Sequence, residues 1–175
     1  SKYIFRINKP KIFFHWFKTV LNYMKFFKGN KFHLKKLVGI DLPPNYLSLK
    51  TILNKLRIKN FSHVFLKIDI EGWEYRLLDD LILNADIIEG LVIEFHDSDL
   101  HLNRIENFIK KFPLSLVHTH TNNYSPLNTN GLPIAIECSF TCKITSKKLV
   151  SDLPSALDMP NNPLIEEYKI IFFGK

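Results

Sequence analysis

The chain has 175 residues, of which 46% are hydrophobic, 13% aromatic and 23% charged. This length suits one folded domain, and this composition excludes a disordered polymer. The sequence contains no run of about 18 uncharged apolar residues and no apolar segment followed by a small-residue cleavage site, so it predicts a soluble cytoplasmic protein.

The net charge of +7 is divided unevenly along the chain. Residues 1–59 contain 14 Lys or Arg and one acid, Asp41, which gives +13; residues 60–175 contain 10 Lys or Arg and 16 acids, which gives −6. Such an asymmetry predicts two parts with different surroundings. We predict a basic, aromatic leader over residues 1–45 and a domain over residues 46–175.

The leader contains a predicted helix from Ile12 to Phe27. Apolar residues cover most of its circumference, and Lys18, Asn22 and Lys25 form a narrow polar stripe at helical spacing. This pattern suits a helix packed on the rest of the protein, a basic helix lying peripherally on an anionic membrane, or a helix that binds a partner. A nucleic-acid arm is disfavoured, because no nucleic-acid-binding motif accompanies the helix. The consecutive prolines of LPPN, residues 42–45, then end the leader.

Helix and strand patterns alternate from Ser48 onward. The segment SLKTILNKLRI predicts a short helix with Ser48 as its N-cap. The segment HVFLKID, residues 63–69, follows as an apolar strand of the kind that is buried on both faces of a parallel sheet. After Gly72, the segment WEYRLLDDLIL predicts a second helix. Its apolar stripe consists of Trp73, Leu77, Leu81 and Ile82.

Two more strands and one more helix complete this predicted sheet. GLVIEFH, residues 90–96, predicts a strand, LHLNRIENFIKKF, residues 100–112, a helix, and LSLVHTH, residues 114–120, a third strand. The side chains of this helix that are expected to face the core are Leu102, Ile105, Phe108, Ile109 and Phe112. Alternating strands and helices with right-handed crossovers predict an α/β fold with a parallel sheet, and such sheets bind ligands beyond the carboxyl ends of their strands.

Polar side chains follow all three strands at the edge where ligands are expected. They are Asp69 and Glu71 after the first strand, Glu94, His96 and Asp97 at the end of the second, and His118, His120, Asn122 and Asn123 at the end of the third. Each has a structural explanation too: Asp69 and Glu71 can cap the following helix, and a single histidine is often a hydrogen-bonded structural residue. The convergence of carboxylates, imidazoles and amides on one edge nevertheless predicts a functional site there.

The two cysteines, Cys138 and Cys142, lie four positions apart in IECSFTC. In a strand their Cα atoms would be about 13 Å apart, which is too far for a disulfide. A zinc site is disfavoured because it needs two further ligands nearby. The sequence therefore predicts two buried thiols in a reducing compartment.

The segment LKIDIEGWEYRLL, residues 66–78, resembles the central motif of the FkbM-type S-adenosylmethionine-dependent methyltransferases, in which a strand ending K-I-D-[VI]-E-G-x-E leads into a helix. The similarity covers about residues 46–173, and IEGLVIEFHD, residues 88–97, resembles the next strand of that family. The resemblance implies an α/β, Rossmann-like methyltransferase half-sheet of three parallel strands plus one antiparallel strand, with flanking helices. The three strands would be the fourth, fifth and sixth of the methyltransferase sheet. PIAIECSFTC, residues 133–142, would be the seventh, running antiparallel between the fifth and the sixth.

The resemblance also implies an activity: O-methylation of a hydroxyl group, with S-adenosylmethionine as cofactor and a saccharide or similar polar molecule as acceptor. Asp69 and Glu71 would lie beside the junction of cofactor and acceptor. We predict His96 as the base, because its ordinary pKa is closest to neutrality, with Glu94 or Asp97 to orient it.

A divalent metal ion is the alternative way to activate the acceptor, by lowering the pKa of its hydroxyl. Its ligands would be Asp69, Glu71, Glu94 and His96. In either mechanism, the polar acceptor would be bound by His118, His120, Asn122 and Asn123.

One part of the family pattern is missing from this sequence. The six glycines stand at positions 29, 39, 72, 90, 131 and 174, and no two form the G-x-G turn that approaches the cofactor. We therefore expect a fragment completed by another chain or by a homo-oligomer, or a reduced protein with a rebuilt cofactor site. The free edge of the HVFLKID strand is expected to be covered by KYIFRI, residues 2–7, or by another chain.

Two further function classes stay open at this point. The domain could be a non-catalytic binding module whose basic leader holds an anionic glycan, a membrane or a protein partner. The carboxylates and histidines could also carry out metal-dependent hydrolysis, although the family resemblance disfavours this.

Overall fold

The computed structural model describes residues 10–31, 33–56, 63–143, 153–155 and 158–169. The chain divides into two compact units, Ser1–Lys36 and Leu37–Lys175. Residues 37–45 therefore belong to the second unit. The segment KYIFRI, which we expected to cover a sheet edge, lies outside the described residues.

The first unit contains one long helix, α1 (Pro10–Phe26). The predicted helix is confirmed, with each end within two residues of its predicted position. Phe27 and His33 follow the helix and contact Tyr23 in its last turn. The ring centroid of Tyr23 lies 4.7 Å from that of Phe27 and 5.7 Å from that of His33. The Tyr23 hydroxyl is also hydrogen-bonded to His33 Nδ1. Aromatic contacts thus hold the residues after the helix against its last turn.

The second unit begins with two short parallel strands, β1 (Leu37–Val38) and β2 (Tyr46–Leu47), followed by α2 (Leu49–Lys55). The predicted N-cap is confirmed, because Ser48 Oγ accepts a hydrogen bond of 3.1 Å from the Thr51 amide. Asp41 supports the cap from outside the helix by accepting hydrogen bonds from the Ser48 amide and hydroxyl.

The main sheet has four strands: β3 (Val64–Ile68), β4 (Ile88–Phe95), β5 (Ser115–Thr121) and β6 (Ile136–Thr141). Their spatial order is β3-β4-β6-β5. β3 and β4 are parallel, whereas β6 is antiparallel to both of its neighbours, so β5 runs in the same direction as β3 and β4. The predicted strand order is confirmed, including the position of the antiparallel strand.

The connections from β3 to β4 and from β4 to β5 are helical, whereas β5 and β6 are joined by turns. β3 leads through a 3₁₀ turn (Glu74–Arg76), α3 (Leu78–Leu83) and a second 3₁₀ turn (Ala85–Ile87) into β4. α4 (Leu102–Lys111) connects β4 to β5. The helix predicted after Gly72 therefore exists in two pieces that meet at Leu77.

One face of the sheet carries the hydrophobic core. Leu91, Ile93 and Phe95 of β4 are fully buried, as expected for alternate residues on the covered face of a strand. Phe108 of α4 and Phe112, which follows the helix, pack on this face. The predicted inward positions of α4 are correct at these two residues and at Ile105, and Ile109 is half-buried.

Leu102 is an exception. It begins α4 and is 40% exposed, while contact with the core starts one turn later at Ile105, so the prediction that Leu102 faces inward is wrong.

The opposite face is less covered, which corrects the prediction that β3 is buried on both faces. β3 lies at the end of the strand order, and Phe65 is 68% exposed. Its ring lies over Gly90 of β4, where an added Cβ would come within 2.7 Å of it. An apolar strand is buried on both faces only when a layer of structure packs on each side of the sheet. The described residues place no such layer over Phe65.

The cysteines divide between interior and surface. Cys138 is buried in β6, and burial raises the pKa of its thiol to about 12, so it is an inert core residue. Cys142 lies just past the end of β6 and is exposed, so its predicted burial is wrong. Both thiols are free, as predicted.

Among the described residues, no helix combines the length and the apolar character that crossing a bilayer requires.

Candidate active site

The carboxyl ends of β3 and β4 bring three predicted site residues together. Asp69 follows β3, Glu94 is the second-last residue of β4, and His96 follows β4. One side-chain ligand atom from each of the three lies within 4.8 Å of the others. Glu71 joins them, since its Oε2 is 3.5 Å from His96 Nε2, while Asp69 Oδ1 is 3.9 Å from the same nitrogen. The other three predicted catalytic residues thus lie around the imidazole of the fourth, His96.

Glu74 is the member of this site that the sequence analysis missed. Its side chain is fully buried, and its Oε1 accepts hydrogen bonds from His96 Nδ1 at 2.9 Å and from the Ile70 amide at 3.0 Å. His96 is therefore oriented by Glu74, and not by Glu94 or Asp97 as predicted. The available signal was the final glutamate of K-I-D-I-E-G-W-E, which was assigned only to the following helix.

Glu74 Oε2 is buried without a hydrogen-bond partner among the described residues. A buried carboxylate with an unsatisfied oxygen is costly, and such groups are rare in folded proteins. Here the charge lies directly behind the imidazole of His96.

The backbone around the site is strained. Glu71 has φ +54° and Asp97 has φ +48°, and these are the described non-glycine residues with left-handed backbone. Gly72, between the two strand ends, has φ +94°. Strain of this kind often clusters at functional sites, where the surrounding structure holds it in place. Below it, the Tyr75 hydroxyl donates a 2.7 Å hydrogen bond to the carbonyl of His96 and fixes the end of β4.

The pKa of His96 is shifted by opposing effects. Partial burial of the imidazole lowers its pKa, but the hydrogen bond to Glu74 and the negative charges of Glu74, Glu94 and Glu71 raise it by more. The net result is a pKa above the ordinary value of 6.5. Surrounding carboxylates therefore make His96 a stronger base than a free imidazole.

We expect the substitution Glu74→Gln to lower the pKa of His96, because it removes the largest stabilising charge while keeping the size of the side chain. Titration of the His96 ring protons by NMR measures this directly. Glu71→Gln is the matched control: Glu71 is 86% exposed, so solvent screens its charge and its loss should lower the pKa by less. Equal shifts in the two variants would contradict the assignment of Glu74 as the orienting residue.

The same titration affects stability. Because the folded-state pKa of His96 exceeds its unfolded value, the protonated imidazole stabilises the fold below about pH 6.5. This contribution is lost as the pH rises through the folded-state pKa. In Glu74→Gln the pH dependence of the unfolding free energy should be weaker over that window.

The predicted acceptor-binding residues of β5 fall into two groups. Asn122 joins the site, because its Nδ2 donates a 2.7 Å hydrogen bond to Glu94 Oε1. The other three contact the segment of residues 158–167. His118 Nε2 lies 2.9 Å from Asp158, His120 Nε2 lies 3.1 Å from Glu167, and the buried Asn123 is hydrogen-bonded to Asn162 and Ile165. The late segment thus occupies these three side chains.

The arrangement is suited to removing a proton from a bound hydroxyl group. Glu74 engages Nδ1, which leaves Nε2 of His96 directed toward Asp69 and Glu71. A group placed there would meet a base and several hydrogen-bond acceptors.

A scan against models of protein families matches none, and searches among curated proteins and among solved structures also find no match.

Proposed function

We propose that the second unit provides the base and the acceptor contacts of an FkbM-type, S-adenosylmethionine-dependent O-methyltransferase. The observation that carries this proposal is the strand order β3-β4-β6-β5 with β6 antiparallel. It corresponds strand by strand to the fourth, fifth, seventh and sixth strands of the methyltransferase sheet that the motif implied. An antiparallel strand inserted between parallel ones is an unusual arrangement, and it supports a Rossmann-like methyltransferase half-sheet.

His96 would act as the general base. In methyl transfer to oxygen, the acceptor hydroxyl loses its proton as the new bond forms, so a base within hydrogen-bond reach accelerates the step. Glu74 holds the Nδ1 proton and stabilises the imidazolium that results. Nε2 is then free to accept the proton of the acceptor.

The surrounding polar groups would bind the rest of the acceptor. Asp69 and Glu71 are exposed enough to accept hydrogen bonds from neighbouring hydroxyls, and the Glu94–Asn122 pair provides a further polar contact. Several acceptors around one base match a molecule with many hydroxyl donors. A saccharide or a similar polyol is therefore the proposed acceptor class.

The cofactor contacts fit this chain only in part. S-adenosylmethionine would supply the methyl group, but the sequence contains no G-x-G turn to approach it. The four described strands of the main sheet correspond to the acceptor half of the methyltransferase sheet. We therefore assign no residue of this chain to the nucleoside part of the cofactor, and we propose that another chain or a rebuilt segment binds it.

A divalent ion is the second candidate for activating the acceptor. Asp69, Glu94 and His96 offer two carboxylates and an imidazole at close range, which is a donor set that divalent ions accept. These residues would hold the ion, and it would lower the pKa of the acceptor hydroxyl so that its proton could pass to solvent water and not to His96.

Calorimetric titration with S-adenosylhomocysteine, with and without magnesium, tests the proposed function. Saturable one-site binding supports it, and amide NMR shifts that cluster at Asp69, Glu71 and Asn122 would locate the ligand at the proposed edge. Binding only in the presence of magnesium would favour the metal-assisted form. Failure to bind at millimolar ligand would contradict cofactor binding by this chain alone and favour a non-catalytic binding module or a completing partner.

A further inference from the structure

The first unit has an extreme charge for its size. Residues 1–36 contain ten Lys or Arg and no Asp or Glu, whereas the remaining residues contain 14 Lys or Arg and 17 acids. The net charges are therefore +10 and −3. A segment with cations alone is attracted to an anionic surface over roughly a Debye length, about 8–10 Å in physiological salt.

The helix of this unit separates polar from apolar residues. With 100° between successive residues, its polar side chains occupy an arc of about 120°. They are His15, Lys18, Thr19, Asn22 and Lys25. Large apolar side chains fill the other arc, and they are Phe14, Trp16, Phe17, Val20, Leu21, Tyr23 and Met24. The last residue, Phe26, is the one described side chain of the helix that departs from this division.

The apolar arc is unusually exposed. Apart from the half-buried Val20, its side chains are between 39% and 73% exposed. Soluble surfaces rarely present so many adjacent large apolar groups, so a continuous patch of this kind marks an interaction site. The described side chains of the patch run from Phe14 to Met24 and form a strip about 15 Å long on the helix.

We propose that α1 is an interfacial helix that binds an anionic lipid surface, lying in the plane of the membrane with Phe17 and Met24 near the centre of its buried face. An apolar arc rich in Phe, Trp and Leu opposite a lysine-bearing arc is the composition of helices that lie in the headgroup region. Tyr23 and Trp16, near the borders of the apolar arc, suit the boundary between acyl chains and water. Lys18 and Lys25 then face the headgroups, where anionic lipids attract them.

Lipid binding accounts for both observations at once. A nucleic acid would use the positive charge but would leave most of the apolar strip exposed, and an ordinary protein groove would cover the strip without needing ten cations. Only a lipid bilayer with an apolar interior and anionic headgroups matches both the apolar strip and the positive charge. Lipid binding does not depend on methyl transfer, so either proposal can fail without the other.

Co-sedimentation of the full chain with lipid vesicles tests this proposal. Vesicles of 70% phosphatidylcholine and 30% phosphatidylglycerol are expected to bind the chain at least tenfold better than pure phosphatidylcholine at low salt, because the anionic headgroups attract the lysines. Half-molar NaCl should weaken this binding strongly. Equal partitioning into the two vesicles, absence of binding to both, or retention by DNA and not by vesicles would overturn it.

The double variant Phe17→Glu with Met24→Glu tests the apolar face. It should reduce vesicle binding at least tenfold, because two charges would enter the acyl region. Leu164→Glu with Leu83→Glu is the control, since both leucines are exposed in the second unit and the added charge is the same. Equal losses in the two variants would mean that net charge alone, and not the helix face, determines binding.

Thermal unfolding distinguishes this surface from a packed core. If the apolar face of α1 binds lipid, the midpoint of unfolding without vesicles should change by about 1 °C or less in the Phe17, Met24 variant, as for surface substitutions. A decrease of several degrees would mean that these side chains are buried against protein, and this would overturn the proposal.

Discussion

Replacing His96 with alanine is expected to lower the rate of methyl transfer about 10²- to 10⁴-fold, which is the usual contribution of a positioned general base. The physical reason is that Nε2 of His96 faces the exposed carboxylates of Asp69 and Glu71, where a bound hydroxyl would lie, while Nδ1 is held by Glu74. The measurement is transfer from methyl-labelled S-adenosylmethionine to a panel of mono- and oligosaccharides. His63→Ala is the control, because that side chain is 80% exposed and its ion-pair partner is Glu89, which is outside the site.

The pH profile of the unmodified protein should follow the titration of the same residue. A protonated Nε2 cannot accept a proton, so the rate should fall as the pH decreases through the pKa of His96. Because this pKa is raised, the loss should begin above pH 6.5.

A rate unchanged in His96→Ala would show the base assignment to be wrong. Loss of activity on chelation, with recovery on adding magnesium, would favour the metal-assisted form.

The second large effect is expected in the core. Phe95→Ala should lower the free energy of unfolding by about 3–5 kcal/mol, because it removes a fully buried ring and leaves a cavity. The ring centroid of Phe95 lies 5.7 Å from that of Tyr75 and 6.3 Å from that of Phe108, so contacts to both connections of the sheet would be lost. A typical domain is stable by about 5–15 kcal/mol, and urea denaturation would detect this change easily.

Phe65→Ala is the matched control for this prediction. Phe65 is the same residue type on the neighbouring strand, but it is 68% exposed, so its loss should cost less than about 1 kcal/mol. Similar costs for the two variants would show that the exposed face of β3 is covered in solution. That result would point to a partner layer on this face of the sheet.

Phe95 also connects the core to the site, since it lies between Glu94 and His96 in the chain. If the ring holds the end of β4 in place, Phe95→Ala should move the pKa of His96 toward its ordinary value of 6.5, because the distance to Glu74 would increase. NMR titration of the folded variant measures this coupling.

Local sequence signals were sufficient for α1, α2, α4 and the strands of the main sheet, but not for the short strands β1 and β2. The N-cap of α2 depends on one side chain and the amide three residues on, so Ser48 was identifiable without tertiary information. The strands of the main sheet were identifiable because their apolar runs are bounded by turn and helix signals. The position of β6 between β4 and β5 was not a local signal. It was predicted only because the motif around Asp69 resembled a family with that topology.

The edge that gathers Asp69, Glu71, Glu94 and His96 was also determined by the sequence, since parallel strands place their carboxyl ends together. What the sequence did not determine was the partner of each side chain. Glu74 lies in a segment with helical periodicity, and only the folded chain turns its carboxylate under His96. Burial was likewise decided by packing. β3 has the composition of a strand buried on both faces, but no described layer covers the face that carries Phe65, so this side chain is exposed. Composition and spacing act along the chain, whereas hydrogen-bond partners and burial depend on which distant segments reach the same place.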